Sequence, residues 1–425
     1  MKPTSDITVL CFDHGLFLPV AHRMAKECKR VLYATPWETG FAKLGNCIVG
    51  DGFDDIERCD DIWAVMPEVD LVVFPDIQHA GLQLHLESIG KPVWGARAAD
   101  SLEIDRHKFL DVMAKTGLPM PEQTTVVGVS KLRQFLKHKG ECYIKISKFR
   151  GDHETRKWKG MDSDEGWIDA LAVKFGPAKE YIPFLVFEPI DAAVEDGLDT
   201  YCVDGQWPSL VLHGLENKDK CYLGAVTPRD EMPKELTDIL DAFGPIFKDY
   251  RYRNQFSMEA RNGVFIDPTC RGGLPSTASQ LANWSNFPDI VWCGANGILV
   301  EPEPAHNFSA EAILSIKTEK DQWSKARFEG EICEHVHLAG ACLIDGAHCW
   351  PPDGAADNNL GWLQAGGDSI EEAIENLKRL AEELPDGVSA ATDELVGLLK
   401  TMQEGEKEGL DFGGQPPPDP VMAIE

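Results

Sequence analysis

The chain has 425 residues, 43% of them hydrophobic, which is enough for two to four domains with buried cores. No apolar run is as long as a membrane span, so no membrane partner is expected. The 70 acidic and 41 basic residues give a formal net charge of −29, which disfavours binding to polymeric nucleic acid. Twelve cysteines without a C-x-x-C pair are typical of reduced thiols, and the N-terminal segment lacks a signal-peptide pattern. We therefore expect a cytoplasmic protein.

Residues 1–99 alternate between apolar strand-like runs and helical segments, with short connections between them. Such alternation is typical of a doubly wound α/β unit, whose ligands bind beyond the carboxyl ends of the strands. No G-x-G-x-x-G follows the first strand, so a dinucleotide site is not expected there. The strand-like runs are residues 7–12, 31–35, 70–76 and 91–95. The polar side chains after two of these runs are candidate substrate contacts: Asp13, His14, Asp76 and His79.

The stretch from residue 100 to residue 300 contains charged residues in positions that suit a nucleotide. Lys145 lies in a strand-like run, and a loop with Arg150 and Gly151 follows it. A strand lysine can pair with phosphates while such a loop covers them, although an ordinary surface lysine fits the same pattern. Glu188 ends an apolar run that could offer its backbone to an adenine edge. Further candidates near these runs are Lys108, Glu195, Asp199, Glu216 and Lys218.

Residues 254–273 (NQFSMEARNGVFIDPTCRGG) form a predicted hairpin, the strongest signal in the chain. If the turn residues Arg-Asn-Gly all belong to the loop, Glu259 pairs with Phe265, and Glu259 and Asp267 share one face. A two-residue loop would place these two carboxylates on opposite faces. The interpretation therefore requires a three-residue loop.

The side chains on that face have the chemistry of a metal and phosphate site. Glu259, Asp267 and Thr269 are candidate ligands of Mg²⁺, with Mn²⁺ as a second option, because Mg²⁺ prefers a couple of carboxylates together with phosphate oxygens. Arg271 lies just past the strand, where its planar guanidinium could hold a phosphate. An ordinary hairpin with a charged outer face is the alternative.

The C-terminal part contains short strands, Gly-rich turns and an amphipathic helix over residues 369–384, capped by Asp368 or Ser369. We expect a small α+β domain over residues 301–402. Residues 403–425 are rich in Glu, Gly and Pro, which predicts a disordered tail. The whole chain is expected to combine α/β and α+β domains.

In this order the segments resemble the ATP-grasp ligases, and in particular the glycinamide ribonucleotide synthetase family, over most of residues 1–385. The segments YIKISKFRGD, FEPIDAAVEDG and MEARNGVFIDPTCRGG carry the resemblance. It implies a Rossmann-like pre-ATP-grasp domain over 1–99, an ATP-grasp domain over 100–300 and a small C-terminal domain over 301–402. It also implies that ATP binds together with Mg²⁺.

The resemblance implies a role for each matching residue. The family's metal hairpin ends in E-x-N-x-R, and here Asp267 stands for the Glu, Thr269 for the Asn and Arg271 for the Arg. Lys145, Arg150 and Arg271 are the expected catalytic residues. The other implied contacts are phosphates for Lys108, Lys145 and Gly151, adenine for Glu188, and ribose for Glu195 or Asp199.

Three segments depart from the family's pattern, and they concern the substrates. NKDKCYLGAV stands where the family has a glycine-rich G-P-N-T-G-G-M-G stretch. The loop after the first strand reads CFDHGLFLPV, with one glycine and an acid where the family has a Gly-rich phosphate loop. PDIQHAG stands where the family has an acidic-proline loop. Whether phosphoribosylamine is accepted is therefore left open.

These patterns predict an ATP-dependent carboxylate–amine ligase that forms an amide through an acyl phosphate. The expected substrates are an amino acid such as glycine and a nucleotide or sugar amine, in a pathway related to purine biosynthesis or nucleotide modification. The acidic surface favours a free nucleotide over DNA. The alternative is an ATP-binding regulatory or scaffold protein with reduced catalysis, which the threonine at position 269 motivates. Monomer and homodimer both remain open.

Overall fold

The computed structural model describes residues 1–35, 48–147, 155–192, 194–319, 322–352, 357–407 and 409–413. These residues form four β-sheets of five, four, nine and three strands with helices packed on them. No helix in the described ranges is both long and apolar enough to cross a membrane.

The first sheet is parallel, as the alternation of strands and helices predicts. It comprises β1 (Thr8–Phe12), β2 (Arg30–Ala34), β3 (Glu57–Arg58), β4 (Leu71–Val73) and β5 (Val93–Trp94), with α1 (Leu18–Ala25), α2 (Ile62–Val65) and α3 (Ala80–Ser88). The strand order is β3-β2-β1-β4-β5. The chain therefore reverses its direction of winding between β1 and β4, and the loops after these two strands open at the same edge, where doubly wound sheets bind ligands.

Two helices lead into an antiparallel four-stranded sheet. The helices are α4 (Asp100–Ile104) and α5 (Arg106–Thr116), and the sheet comprises β6 (Gln123–Val127), β7 (Cys142–Ile146), β8 (Thr155–Trp158) and β9 (Pro183–Phe187), covered by α6 (Val129–Leu136) and α7 (Met161–Phe175). The strand order is β6-β9-β7-β8. β7 alternates buried and half-buried side chains, because one of its faces packs on the two helices and the other carries the half-buried Tyr143 and Lys145.

The nine-stranded sheet connects the middle and C-terminal parts of the chain. Its strands are β10 (Asp196–Val203), β11 (Leu210–Asn217), β12 (Cys221–Pro228), β13 (Arg253–Arg261), β14 (Val264–Thr269), β15 (Phe308–Lys317), β17 (Val336–Leu338), β20 (Asp357–Gly367) and β21 (Val388–Ala390). The order is β14-β13-β10-β11-β12-β15-β20-β17, and β21 pairs with β15. Strands from either side of residue 300 are hydrogen-bonded neighbours, so the predicted domain boundary there falls inside one continuous sheet.

The remaining elements surround this sheet. They are α8 (Lys234–Tyr250), α9 (Thr277–Asn283), α10 (Phe287–Ala295), α11 (Ile370–Ala381) and α12 (Glu394–Lys407), and a three-stranded sheet of β16 (Ser324–Ala326), β18 (Cys342–Ile344) and β19 (Ala347–Trp350). Ser369 caps α11 as predicted, because its hydroxyl accepts from the Glu372 amide while Glu372 accepts from the Asp368 amide.

The parallel sheet is joined to the large sheet at the base of the hairpin. Gly95 and Arg253 form an antiparallel bridge, and the side-chain amide of Asn254 donates to the Phe74 carbonyl at 3.3 Å. These contacts place the carboxyl ends of β1 and β4 next to the strand that carries Glu259.

The hairpin differs from its prediction in both loop and register. The turn has two residues, Asn262 and Gly263, with φ of 48° and 72°, as the Asn-Gly sequence favours. The predicted three-residue loop is therefore wrong. An irregularity in the pairing next to Glu259 leaves Ile266 as an extra residue, so that Glu259 pairs with Asp267. The bulge restores the shared face that a regular two-residue hairpin would have removed.

The predicted disorder of the tail is wrong for its first part. α12 continues to Lys407, with Leu395, Leu398 and Met402 buried against the large sheet. Phe412 is 3% exposed and stacks on His213 with ring centroids 4.5 Å apart. The apolar stripe of α12 and the aromatic side chain of Phe412 thus outweigh the polar composition of this segment. Residues 414–425 lie outside the described ranges.

Candidate active site

A cavity of about 320 Å³ lies between the four-stranded sheet and the β13–β14 hairpin. Its volume is at the lower end of the range for small-ligand sites. Part of its wall is apolar, from Pro121, Tyr143, Phe187 and Ile190. Six of the residues predicted from the sequence line the cavity: Lys145, Glu188, Glu195, Lys218, Glu259 and Asp267.

Asp267 is held by two cations. The guanidinium of Arg106 donates to both of its carboxylate oxygens. Lys145 Nζ lies 3.4 Å from Asp267 Oδ2 and 3.4 Å from the carbonyl oxygen of the bulged residue Ile266. Burial alone would raise the pKa of Asp267, but Arg106 and Lys145 outweigh it, so its pKa lies below the ordinary range. Burial lowers the pKa of Lys145, and Asp267 partly offsets this effect.

Arg106 owes its position to the start of α5. It is the first residue of that helix and 4% exposed. Its backbone N–H donates to Ser147 Oγ at 2.8 Å, and Ser147 in turn donates to Asp105, the residue that caps the helix. The helix is thereby tied to the end of β7, next to Lys145. Two cations from different elements therefore meet at one carboxylate.

Glu259 faces a different environment from its partner Asp267. Glu195 and Glu216 lie close to it, and Lys218 Nζ lies 3.2 Å from Glu259 Oε2. Burial, reinforced by Glu216 and Glu195 against Lys218, raises the pKa of Glu259 well above its ordinary value. Burial likewise raises the pKa of Glu216 to about 7. The site thus has more carboxylates on this side than cations to neutralise them.

The donor set fits Mg²⁺ delivered together with a phosphate. Among the described residues, no three His, Cys, Asp or Glu side chains converge as a complete metal site. Mg²⁺ commonly binds one or two carboxylates and completes its octahedron with phosphate oxygens and water. The cross-strand pair Glu259 and Asp267 supplies two such carboxylates, and the raised pKa of Glu259 marks a carboxyl that a cation would stabilise in its ionised form.

Glu188 lies at the other end of the cavity, directly after β9. Its carboxylate accepts from Lys139 Nζ, and its backbone N–H donates to the Glu122 carbonyl at 3.0 Å. The amide of Glu188 is therefore already used, and an adenine edge would have to meet other backbone groups of this segment.

The loops after β1 and β4 meet, as the strand order requires. His14 Nε2 and His79 Nε2 are 2.9 Å apart, and the two rings stack with centroids separated by 5.0 Å. Burial lowers the pKa of His14, and it lowers the pKa of His79 to about 4, with His14 contributing. Both imidazoles are therefore neutral near pH 7.

Arg271 points to these loops and away from the cavity. Its Nε lies 3.1 Å from Glu103 Oε1 and 3.4 Å from Asp76 Oδ1. The second oxygen of Glu103 accepts from the Cys270 amide at 2.8 Å, which fixes the end of the hairpin against α4. We call the group Asp13, His14, Asp76, His79, Glu103 and Arg271 the strand-end surface.

Solved structures similar to this one come from several ligases. Phosphoribosylamine–glycine ligase from Thermotoga maritima superposes with a TM-score of 0.67 at 17% identity, over 90% of this chain and 99% of that chain. Biotin carboxylase from Campylobacter jejuni, in a complex with β,γ-ATP, gives 0.60 at 12% identity, over 96% and 98%. L-amino acid ligase from Bacillus licheniformis gives 0.55 at 13% identity, over 90% and 98%.

The chain has the ATP-grasp fold. A scan of its sequence against protein-family models finds no match, and a search of the curated proteins finds none either. At such low identities the similarity establishes the ATP-grasp architecture and leaves the substrates to be argued from the side chains.

Several predicted residues lie elsewhere in the ATP-grasp fold. Lys108 Nζ donates to Ser101 Oγ and lies 5.1 Å from the ring centre of Tyr250, outside the cavity. Asp199 is buried and accepts from Ser276 Oγ at 2.6 Å. Burial raises the pKa of Asp199 to about 6. The predicted contacts of Lys108 and Asp199 with the nucleotide are therefore not supported by their positions.

The other predicted residues have mixed positions. Glu216, predicted as a substrate contact, lies beside Glu259. Thr269 follows Asp267 by two residues on the same face of β14 but does not line the cavity. Arg150 and Gly151 lie outside the described residues.

Sequence reasoning missed Arg106 and Glu103. Both belong to the segment DSLEIDRHK, in which only Lys108 was singled out. The available signal was Asp105, whose helix-capping position marks the following arginine as the first residue of a helix that starts beside the cavity.

Proposed function

We propose that the protein is an ATP-dependent ligase that joins a carboxylate to an amine through an acyl phosphate. The observation that supports this most is that Lys145, Glu259 and Asp267 line one cavity with an apolar wall, while Arg106 holds Asp267 from behind it. Phosphoryl transfer from ATP requires cations that hold the phosphates, carboxylates that hold a divalent cation and an apolar wall that holds the adenine.

Glu259 and Asp267 would hold Mg²⁺, which supplies charge neutralisation of the β- and γ-phosphates when bound. Arg106 and Lys145 would orient the triphosphate and stabilise the negative charge of the transferring group, because both already balance a buried carboxylate in this position. The apolar part of the cavity wall would exclude water from the adenine, through Tyr143, Phe187 and Ile190. The work of the chain is thus positioning and electrostatics.

The reaction would proceed in two displacements. A carboxylate oxygen attacks the γ-phosphorus of ATP, ADP leaves, and an acyl phosphate forms. The amine nitrogen, as its free base, then attacks the acyl carbon and the bond between that carbon and the phosphate oxygen breaks. Phosphate leaves, and the nitrogen releases one proton to it. Glycine or another amino acid as the carboxylate, a nucleotide or sugar amine as the acceptor, and a role near purine metabolism follow from the resemblance to glycinamide ribonucleotide synthetase. A cytoplasmic location follows from the pattern of cysteines.

A second candidate is an ATP-binding scaffold without turnover. It is favoured by Thr269, which stands in place of the family's asparagine and does not line the cavity. The two carboxylates and two cations at the cavity favour the ligase instead.

The experiment is ADP release from Mg-ATP, with amino acids crossed against a set of amines and nucleotides. We expect release that requires both a carboxylate and an amine. Asp267→Asn should lower this rate at least about 100-fold, because it leaves Arg106 and Lys145 without their carboxylate and removes a metal ligand. The matched control is Asp60→Asn, because the side chain of Asp60 is 89% exposed.

An unchanged rate in Asp267→Asn would contradict the assignment of this carboxylate. ATP binding without ADP release over the whole panel would favour the scaffold.

A further inference from the structure

The strand-end surface lies at a suitable distance from the cavity for a second substrate. Arg271 follows Asp267 by four residues, which corresponds to about 13 Å of extended chain. Glu103 and Arg106 on neighbouring helical turns contact Arg271 and Asp267 respectively. The same hairpin and the same pair of helices therefore carry residues of both the surface and the cavity.

Asp13 fills the position in which the loop after β1 could hold an anion. Its Oδ2 accepts from the backbone N–H groups of Gly15 and Phe17, at 2.9 Å and 3.0 Å, and from the Tyr33 hydroxyl at 2.8 Å. Backbone amides before a helix are a common seat for phosphate. Here the protein's own carboxylate, 1% exposed, occupies these donors. The loop consequently has no amide left at Gly15 or Phe17 for a substrate phosphate.

The charged groups of the strand-end surface leave an excess of negative charge. Arg271 is already matched by Glu103 and Asp76, at 3.1 Å and 3.4 Å. Asp13 adds a third carboxyl, whose Oδ1 has no hydrogen-bond partner among the described residues. Burial and the nearby Asp76 raise the pKa of Asp13 to about 7. Two carboxyls that compete for one guanidinium would both be stabilised by an incoming cation.

The two histidines cannot supply the missing positive charge. Their Nε2 atoms share one hydrogen bond at 2.9 Å, so one ring donates and the other accepts. Neutral imidazoles of this kind accept a hydrogen bond from an ammonium group but do not balance a phosphate dianion. Asp76 lies close enough to His14 for its charge to act on that imidazole.

We propose that the strand-end surface binds the acceptor amine as an ammonium ion, through Asp76 and the His14–His79 pair, and that it excludes acceptors with a phosphate group at this end. This inference rests on the proposed ligase function and specifies the class of its acceptor. The acceptor is thus a phosphate-free amine, or one whose phosphate lies away from this surface.

The test compares amines that differ only by a phosphate. Hydroxylamine, which is small and uncharged near neutral pH, traps the acyl phosphate as a hydroxamate and reports the ligase chemistry by itself. Glucosamine and glucosamine 6-phosphate, and ethanolamine and O-phosphoethanolamine, are then added as competitors. We expect the phosphate-free member of each pair to lower hydroxamate formation at a concentration at least about tenfold below that of its phosphorylated counterpart.

The same four amines are examined by saturation-transfer NMR with the full-length wild-type protein, which measures binding without turnover. Stronger signals from the phosphorylated members, or no signal from any of the four at millimolar concentration, would overturn the inference even if hydroxamate forms. Absence of hydroxamate with every carboxylate, together with selective binding of the phosphate-free amines, would instead remove the proposed function and keep the surface assignment.

Asp76→Asn separates this surface from general effects of charge. In Asp76→Asn we expect glucosamine to inhibit hydroxamate formation about tenfold more weakly, relative to the rate of hydroxamate formation without glucosamine. The reason is that the carboxylate that faces the ammonium is neutralised. The matched control is again Asp60→Asn, which removes one negative charge from the same domain at an exposed position. Equal behaviour of the two variants would contradict the role of Asp76.

Discussion

At the scale of single residues, the site depends on which of two neighbouring cations reaches Asp267. Arg106 and Lys108 are two residues apart on α5, so their side chains diverge by about 200° around the helix axis. Arg106 contacts Asp267, whereas Lys108 contacts Ser101 and Tyr250. Sequence spacing identifies the segment but cannot say which side chain faces inward, because this depends on the packing of α5 on the hairpin.

Arg106→Lys tests this assignment, with Lys108→Ala as its control. A lysine keeps the charge but cannot donate in the two-pronged geometry that Arg106 uses toward Asp267. We expect the KM for ATP to rise about tenfold in Arg106→Lys, and by less than about twofold in Lys108→Ala. The opposite ranking in steady-state ADP release would show that Lys108 moves to the nucleotide and that Arg106 is structural.

At the scale of elements, the hairpin shows how much local sequence can predict. The Asn-Gly pair correctly indicates a tight turn, and the acids on the two strands correctly suggest a shared face. The bulge at Ile266 could not be predicted, because it depends on how β14 packs beside Lys145 and not on the turn itself. The prediction reached the right shared face through the wrong loop and the wrong register, because it paired Glu259 with Phe265 and the structure pairs Glu259 with Asp267.

The turn also gives a test of stability. Gly263 has φ of 72°, and a Cβ there would lie 3.1 Å from Glu235 Cγ. We expect Gly263→Ala to lower the free energy of unfolding by about 1 kcal/mol, measured by urea titration. A Cβ at Gly166, inside α7, would meet only open space, so Gly166→Ala should raise the free energy of unfolding by about 0.5–1 kcal/mol.

If both alanine variants shift the urea midpoint in the same direction, the left-handed turn at Gly263 is not what limits substitution there.

At the scale of the whole molecule, the buried acids and the net charge of −29 both lower the stability of the folded state as the pH rises. Burial raises the pKa of Asp13 to about 7, of Asp199 to about 6 and of Glu311 to about 7. The fold class and the order of its segments follow from sequence patterns. The burial of these acids does not, because it arises where strands distant in sequence pack together.

These shifts predict that stability falls as the pH rises. In the unfolded chain the same carboxyls titrate near pH 4, so between about pH 4 and pH 7 the folded state holds more protons than the unfolded state. The free energy of unfolding therefore decreases across this window. We expect a lower Tm at about pH 8 than at about pH 5.5, by several degrees in low salt.

Glu311→Gln should reduce this pH dependence, because its carboxyl accepts from Ser276 and Ser279 and titrates within the window. A Tm that rises between the two pH values, or a variant with the same slope as the wild type, would contradict this explanation.

In the proposed reaction the carboxylate of one substrate attacks ATP directly. Transfer of oxygen-18 from this carboxylate to the released phosphate tests that step. Amino acids labelled with oxygen-18 in their carboxylates are incubated with the protein, Mg-ATP and hydroxylamine, and the released phosphate is examined by phosphorus NMR. We expect one labelled oxygen in each phosphate, because the oxygen that joins the acyl group to the γ-phosphorus leaves with the phosphate. Unlabelled phosphate would show that water attacks ATP, and ATP binding without phosphate release would show that the protein is not a ligase.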